Sequence, residues 1–199
     1  RDTLLIRKSG MKILHCPRPY ALDGRTASLL KWLDIGIPFG LGTDNVFHSI
    51  NETMRVGLYA ARFKAHATGG ANRQMASERP TCTELLELAT IRGAEVMGID
   101  KEVGSLEPDK KADVIAFNFS SPHLTPTMDP LSSIVLYGTS ADIDTVIIDG
   151  RILKQKGNLK SLDMKKALNK AQEKTEDIWS RFFKDNPKLK SLWKRYLRK

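Results

Sequence analysis

Apolar residues recur along this chain with two periods, and the switches between them mark out the elements. Residues 11–16 (Met-Lys-Ile-Leu-His-Cys) form a mostly apolar run of strand length between Gly10 and Pro17, as expected of a strand buried on both faces. Two prolines and Gly24 make residues 17–24 a predicted loop. Ala27, Leu29, Leu30, Trp32 and Leu33 give a helical face over 26–34, closed near Gly36. Residues 37–43 (Ile-Pro-Phe-Gly-Leu-Gly-Thr) read as a second buried strand running into a turn that carries Asp44. Strand, helix, strand with short connections is a βαβ unit, so the two strands are expected to be parallel.

The period is helical for most of the next stretch. Ser49-Ile-Asn-Glu52 matches a capping box, and Met54, Leu58, Ala61 and Ala65 continue it as a helix of about four turns. Residues 68–80, with Gly69-Gly70 and Pro80, predict an exposed loop. A second box, Thr81 to Glu84, opens a helix buried through Leu85, Leu88, Ala89, Ala94 and Met97 and ended by Gly98. From Gly104 the texture becomes turn-rich and β-like, with a strand at 114–117 and three prolines within 121–130. Residues 131–137 fit a helix or a strand equally well. Val146 to Leu153 is a hairpin by its Asp149-Gly150 turn. Met164, Leu168, Ala171, Thr175, Ile178 and Phe182 then repeat at helical spacing. Asn186-Pro187 caps a shorter helix with Leu189, Leu192, Trp193 and Tyr196 on one face.

Composition adds three constraints. No apolar run approaches the roughly 20 residues that a membrane span needs, so no membrane partner is expected. Cys16 and Cys82 lie far apart without CxxC spacing and read as free thiols of a reducing cytoplasm. The net charge of +9 is concentrated in residues 160–199, where thirteen Lys or Arg meet five Asp or Glu, a net of +8. Basicity therefore belongs to the tail and not to the body, and no nucleic-acid fold is legible. Arg1 in place of Met, ahead of Leu4-Leu5-Ile6 and Ser9-Gly10, reads as a helix end and suggests a fragment of a longer protein.

Candidate chemistry centres on Asp44. A carboxylate at the C-terminal end of a buried strand occupies the edge where α/β enzymes keep their active sites. Gly42 allows close backbone approach, Asn45 and His48 add polar groups, and His15 ends the preceding strand at the same sheet edge. Such a carboxylate can bind a divalent metal and accept a proton from water. His48, His66 and His123 show no HxH or HExxH spacing, and a catalytic metal needs about three protein ligands, so further ligands must come from elsewhere.

With these residues in order, the chain resembles the C-terminal portion of the amidohydrolase superfamily of metal-dependent hydrolases. The branch resembled is that of the chlorohydrolases and the cytosine-, guanine- and adenosine-type deaminases. The motifs that carry the resemblance are His15-Cys16-Pro17, Leu41-Gly42-Thr43-Asp44 with Glu52 and Met54, and Glu84-Leu85-Leu86 to Ala89-Thr90 with Gly93-Ala94. Gly104 to Val114, Pro122 to Pro126, Asp129-Pro130 and Val146 to Arg151 continue it. The resemblance implies an α/β fold: the last strands and helices of a (β/α)8 TIM-type barrel over 1–103, part of a small composite β-sandwich over 104–160, and a basic helical tail over 161–199. Residues 11–16 and 37–43 would be the seventh and eighth barrel strands.

It also implies that Asp44 is both metal ligand and proton acceptor, with His15 and Asn45 near substrate. One divalent zinc or iron would activate water, its other ligands lying in a missing N-terminal barrel segment. The implied reaction is hydrolysis of a carbon–nitrogen bond in a small heterocyclic or nucleoside-like substrate; the fragment alone would be inactive. Arg18 to Gly24 departs from the family's usual loop, so substrate contacts do not transfer, and Asn45 stands where many relatives have glycine. Open strand edges leave self-association as a further expectation. The competing reading is a non-catalytic module whose basic tail (160–199) docks an acidic partner or nucleic acid.

Overall fold

β1 (Ile13–His15) and β2 (Phe39–Leu41) lie side by side and parallel, with Ile13 opposite Phe39, Leu14 opposite Gly40 and His15 opposite Leu41. The computed structural model that shows this describes residues 2–45, 48–67 and 78–196. A helix, α1 (Asp2–Ser9), precedes β1 and is closed by Gly10 at φ +68°. The crossover from β1 to β2 holds two helices, α2 (Pro17–Leu22) and α3 (Leu29–Asp34). α2 corrects the loop expected over 17–24. Both its prolines fall in the first turn, where backbone N–H groups have no acceptor within the helix, so neither removes a hydrogen bond.

α4 (Ile50–Ala67) follows the Asp44 turn, and Ser49 Oγ accepts from the Glu52 N–H at 3.3 Å. Its stripe of Met54, Leu58 and Ala61 packs on Leu29, Phe39, Leu41, Leu85, Leu88 and Val135, the main core. The loop expected over 68–80 lies, for residues 68–77, outside the described residues. α5 (Cys82–Ala89) begins with the full capping box, Thr81 Oγ1 accepting from Glu84 N and Glu84 Oε2 from Thr81 N. The single helix expected through Met97 breaks at Thr90 into α5 and α6 (Ile91–Met97). The break changes the helical phase, so Ala94 is buried while Met97, expected in the core, is 63% exposed. Gly98 ends α6 in the left-handed conformation at φ +76°.

A four-stranded sheet of order β3-β4-β5-β6 comprises β3 (Val114–Phe117), β4 (Ile143–Ile148), β5 (Arg151–Gln155) and β6 (Asn158–Leu159). β4 pairs antiparallel with β3 and β5. Asp149 and Gly150, at φ +50° and +74°, make the two-residue turn that the right-handed strand twist favours. Between β3 and β4 the ambiguous 131–137 stretch is α7 (Pro130–Leu136). Asp129 caps it by accepting from Ser132 N at 3.1 Å, and Pro130 occupies the first helical position.

The chain divides into two compact units, one ending at Asn158 and the other starting at Leu159. The second consists of α8 (Met164–Asp185) and α9 (Pro187–Tyr196). Asp163 caps α8 by accepting from Lys166 N. Asn186 precedes α9 as its N-cap, its carbonyl accepting from Leu189 N at 3.1 Å and Lys190 N at 3.4 Å, while its side chain donates back to the Phe182 carbonyl at 2.9 Å and closes α8.

Candidate functional site

The parallel pairing brings the C-terminal ends of β1 and β2 together, and the Gly42 N–H donates to the His15 carbonyl at 2.9 Å. Beyond that bond the backbone turns sharply. Asp44 sits at φ +57°, a left-handed conformation that non-glycine residues rarely adopt. Its carboxylate is exposed, and Oδ1 accepts from the Asn45 N–H at 2.7 Å, holding the turn. A side chain on Gly42 would meet Cys16 Sγ at 3.1 Å, so the glycine leaves room for the thiol beside the turn. The Cys16 thiol is pushed up from its ordinary value first by burial and then by the negative charge of Asp44, against a hydrogen bond with the Asp44 backbone. Cys16 and Asp44 are thus electrostatic neighbours.

His15 takes the other face of β1. Its ring is 5% exposed, edge-on to Tyr20 of α2 at 5.7 Å and to Trp32 of α3 at 5.5 Å. Trp32 in turn meets Phe39 of β2 at 5.4 Å. Burial among rings disfavours the imidazolium and lowers the His15 pKa to about 4, so the ring is neutral at pH 7. Asn45 is exposed on the turn with Asp44, and His48 is exposed just beyond it. Val46 and Phe47 lie outside the described residues.

Three residues beside the turn were not singled out as site residues from the sequence. Arg18 Nε donates to Glu52 Oε1 at 2.8 Å, which ties the exit of β1 to the first turn of α4 after the β2 exit. The capping-box pattern marked Glu52 as a local residue; nothing in the spacing of 34 positions signalled a partner in Arg18. Cys16 could have been found from strand alternation, which places it on the face opposite His15.

Among the described residues, no three His, Cys, Asp or Glu side chains converge to hold a metal ion. Asp44 is an oxygen donor of the kind divalent metals accept, but one carboxylate is not a site. His123 is occupied in the β region, its Nε2 2.9 Å from Asp142 Oδ2. Asp142 is a buried carboxylate that also accepts from Ser121 Oγ, Thr139 Oγ1 and Thr139 N. Burial is the largest influence on it and opposes ionisation, but these donors together outweigh burial and hold its pKa well below the carboxylate range.

The amidohydrolase family profile matches residues 2–153. The chain is 33% identical over 174 residues to the 5-methylthioadenosine/S-adenosylhomocysteine deaminase of Pelotomaculum thermopropionicum, covering 87% of this chain and 39% of that protein. It is 30% identical over 184 residues to the 5'-deoxyadenosine deaminase of Methanosarcina mazei, covering 90% and 40%. Among solved structures, a zinc-bound adenosine deaminase from Xanthomonas campestris shares its fold with a TM-score of 0.79 at 20% identity, over 90% of this chain and 40% of that one. The zinc complex of atrazine chlorohydrolase from Arthrobacter aurescens does so with a TM-score of 0.64 at 23% identity, over 83% and 36%. The chain spans about two fifths of the length of these curated relatives. On the profile match and the 33% identity, the chain belongs to the amidohydrolase family.

Proposed function

We propose that this chain is the C-terminal portion of a metal-dependent amidohydrolase that deaminates an adenosine-type or related small heterocyclic substrate. The observation that carries the reading is Asp44: an exposed carboxylate on a strained turn at the C-terminal edge of a parallel strand pair, in a chain of this family. The relatives named as deaminases of adenosine derivatives supply the substrate class. In this reading residues 11–16 and 37–43 are the last two strands of a (β/α)8 barrel, whose chemistry gathers at that edge.

Asp44 is proposed as one metal ligand, the others being outside this chain. A divalent zinc or iron ion, when bound there, would acidify water toward a pKa of ~7. The proposed work of Asp44 is to hold the proton given up by the attacking water. Hydrolysis then replaces the carbon–nitrogen bond by carbon–oxygen and releases ammonia. The Asn45 N–H bond holds the Asp44 carboxylate on the turn, and the Asn45 side chain is proposed to meet substrate. His15, covered and neutral, would act on substrate through Tyr20, which it supports edge-on and which is 41% exposed.

Ammonia release from adenosine, 5'-deoxyadenosine and 5-methylthioadenosine, measured on the protein that joins this chain to the rest of a barrel, tests the reading. Asp44→Asn should reduce turnover by about 10²–10⁴-fold, the ordinary worth of a positioned proton acceptor, and lower bound metal, with the unfolding temperatures of the two metal-free proteins equal. Turnover within threefold of the parent would overturn the assignment of Asp44.

A further inference from the structure

The second unit carries charge and aromatic side chains that the proposed chemistry leaves unused. From Pro187 to Lys199 there are six Lys or Arg and no Asp or Glu. α8 runs for 22 residues and buries none of them. Its apolar stripe is open, with Met164, Leu168 and Ile178 49%, 61% and 56% exposed. Trp179 of α8 stacks on Trp193 of α9 at 5.5 Å and 15°, and on Phe183 at 5.2 Å and 24°. With Phe182, Leu189 and Leu192 these rings line a groove of about 440 Å³ whose walls are apolar side chains alone. At 100° per residue, Lys188 and Lys190 fall on opposite flanks of the Leu189–Leu192–Trp193 face.

We infer that the α8–α9 hairpin lies on an anionic lipid bilayer, its Trp, Phe and Leu face entering the headgroup boundary and its lysines meeting anionic headgroups. An apolar face rich in Trp and Leu with Lys at its margins is what an interfacial helix requires, and both halves are present here. Charge disfavours the commonest alternative: a second copy would bring a second net charge of +8 against the first. Shape and polarity disfavour the others. A phosphate backbone would meet no polar wall in the groove, and the stripe of α8 from Met164 to Phe182 extends roughly 27 Å, closer to a plane than to the width of one partner helix. No helix of the described residues is long and apolar enough to cross a membrane, so the contact is with the surface.

The test uses the protein that joins this chain to the rest of a barrel, with unilamellar vesicles of phosphatidylcholine alone and of phosphatidylcholine with about one third phosphatidylserine. Co-sedimentation should be at least about tenfold stronger with the serine-containing vesicles, should fall with added salt, and should shift tryptophan emission to the blue. The pair Lys188→Glu, Lys190→Glu should abolish the preference for anionic vesicles while circular dichroism shows unchanged helicity. Leu192→Glu should abolish binding to both. Equal binding to the two vesicles, or none to either, overturns the inference. So does retention on duplex DNA, on an acidic helical peptide, or as a concentration-dependent dimer that these variants abolish while vesicles bind nothing.

Discussion

Gly40→Ala tests how tightly the strand leading to Asp44 is set against its covering helix. Gly40 is fully flanked: a Cβ there would lie 2.8 Å from the Gly93 Cα of α6 and 3.4 Å from both the Gly93 nitrogen and the Leu88 carbonyl oxygen. All three atoms are backbone, so no rotamer can give way. Carbon atoms rest at about 3.5–4.0 Å, so β2 and α6 must separate by roughly 0.7–1.2 Å to admit one methyl group. Gly93 is already glycine, and no smaller residue exists to compensate. Overpacking of this kind costs about 1–3 kcal/mol. For a chain of this size that corresponds to a fall in unfolding temperature of about 2–12 °C. The control is Gly36→Ala, where φ is +66° and a Cβ meets nothing within 4 Å; it isolates the backbone cost of about 1–2 kcal/mol. Differential scanning calorimetry of parent and variants measures both. An unfolding temperature for Gly40→Ala within 1 °C of the parent would refute the claim that α6 and β2 are in backbone contact at this residue.

Three further outcomes are expected. Leu88→Ala removes a side chain with no exposed surface from the main core and should cost about 2–5 kcal/mol in urea unfolding, with little change in slope. Thr81→Ala removes the cap of α5 and should cost about 0.5–2 kcal/mol by the same measurement. The third concerns pH. His15 has a folded pKa of about 4, below its unfolded value near 6.5, so the unfolded chain binds more protons between these values. Stability should be full above pH ~6.5 and fall by roughly 3 kcal/mol as pH drops to about 4. Asp142, whose folded pKa is depressed, contributes stability above its unfolded value near ~3.9 that is lost below it, so its loss comes at lower pH. Urea titrations at stepped pH should show His15→Phe flattening the upper limb and Asp142→Asn the lower; an upper limb unchanged in His15→Phe would refute its assignment.

Locally specified features were legible before any coordinates. The Thr81–Glu84 box, the Asp149-Gly150 turn, the left-handed Gly98 and the amphipathic stripe of α4 each depend on residues within a few positions of one another. The parallel pairing of β1 and β2 followed from the βαβ order. α7 was also within reach, because Asp129-Pro130 is a cap followed by a first-position proline; hydrophobic period alone obscured it. α2 was missed because prolines were counted as breakers without regard to their place in the first turn.

By itself, the sequence determined the candidate carboxylate and the motifs that mark the family, since both are properties of residue identity and order. Tertiary structure alone decided the rest of the site's surroundings. Strand alternation and the docking of α2 and α3 put His15 among Tyr20 and Trp32 and left Cys16 beside Asp44. Arg18 found Glu52 34 positions away, and the Asp142 carboxylate gathered donors from Ser121, His123 and Thr139. The reason is physical. Capping, turn formation and periodicity are near-neighbour interactions written in short stretches, whereas burial and ion pairing depend on which elements the folded backbone brings within a few ångströms.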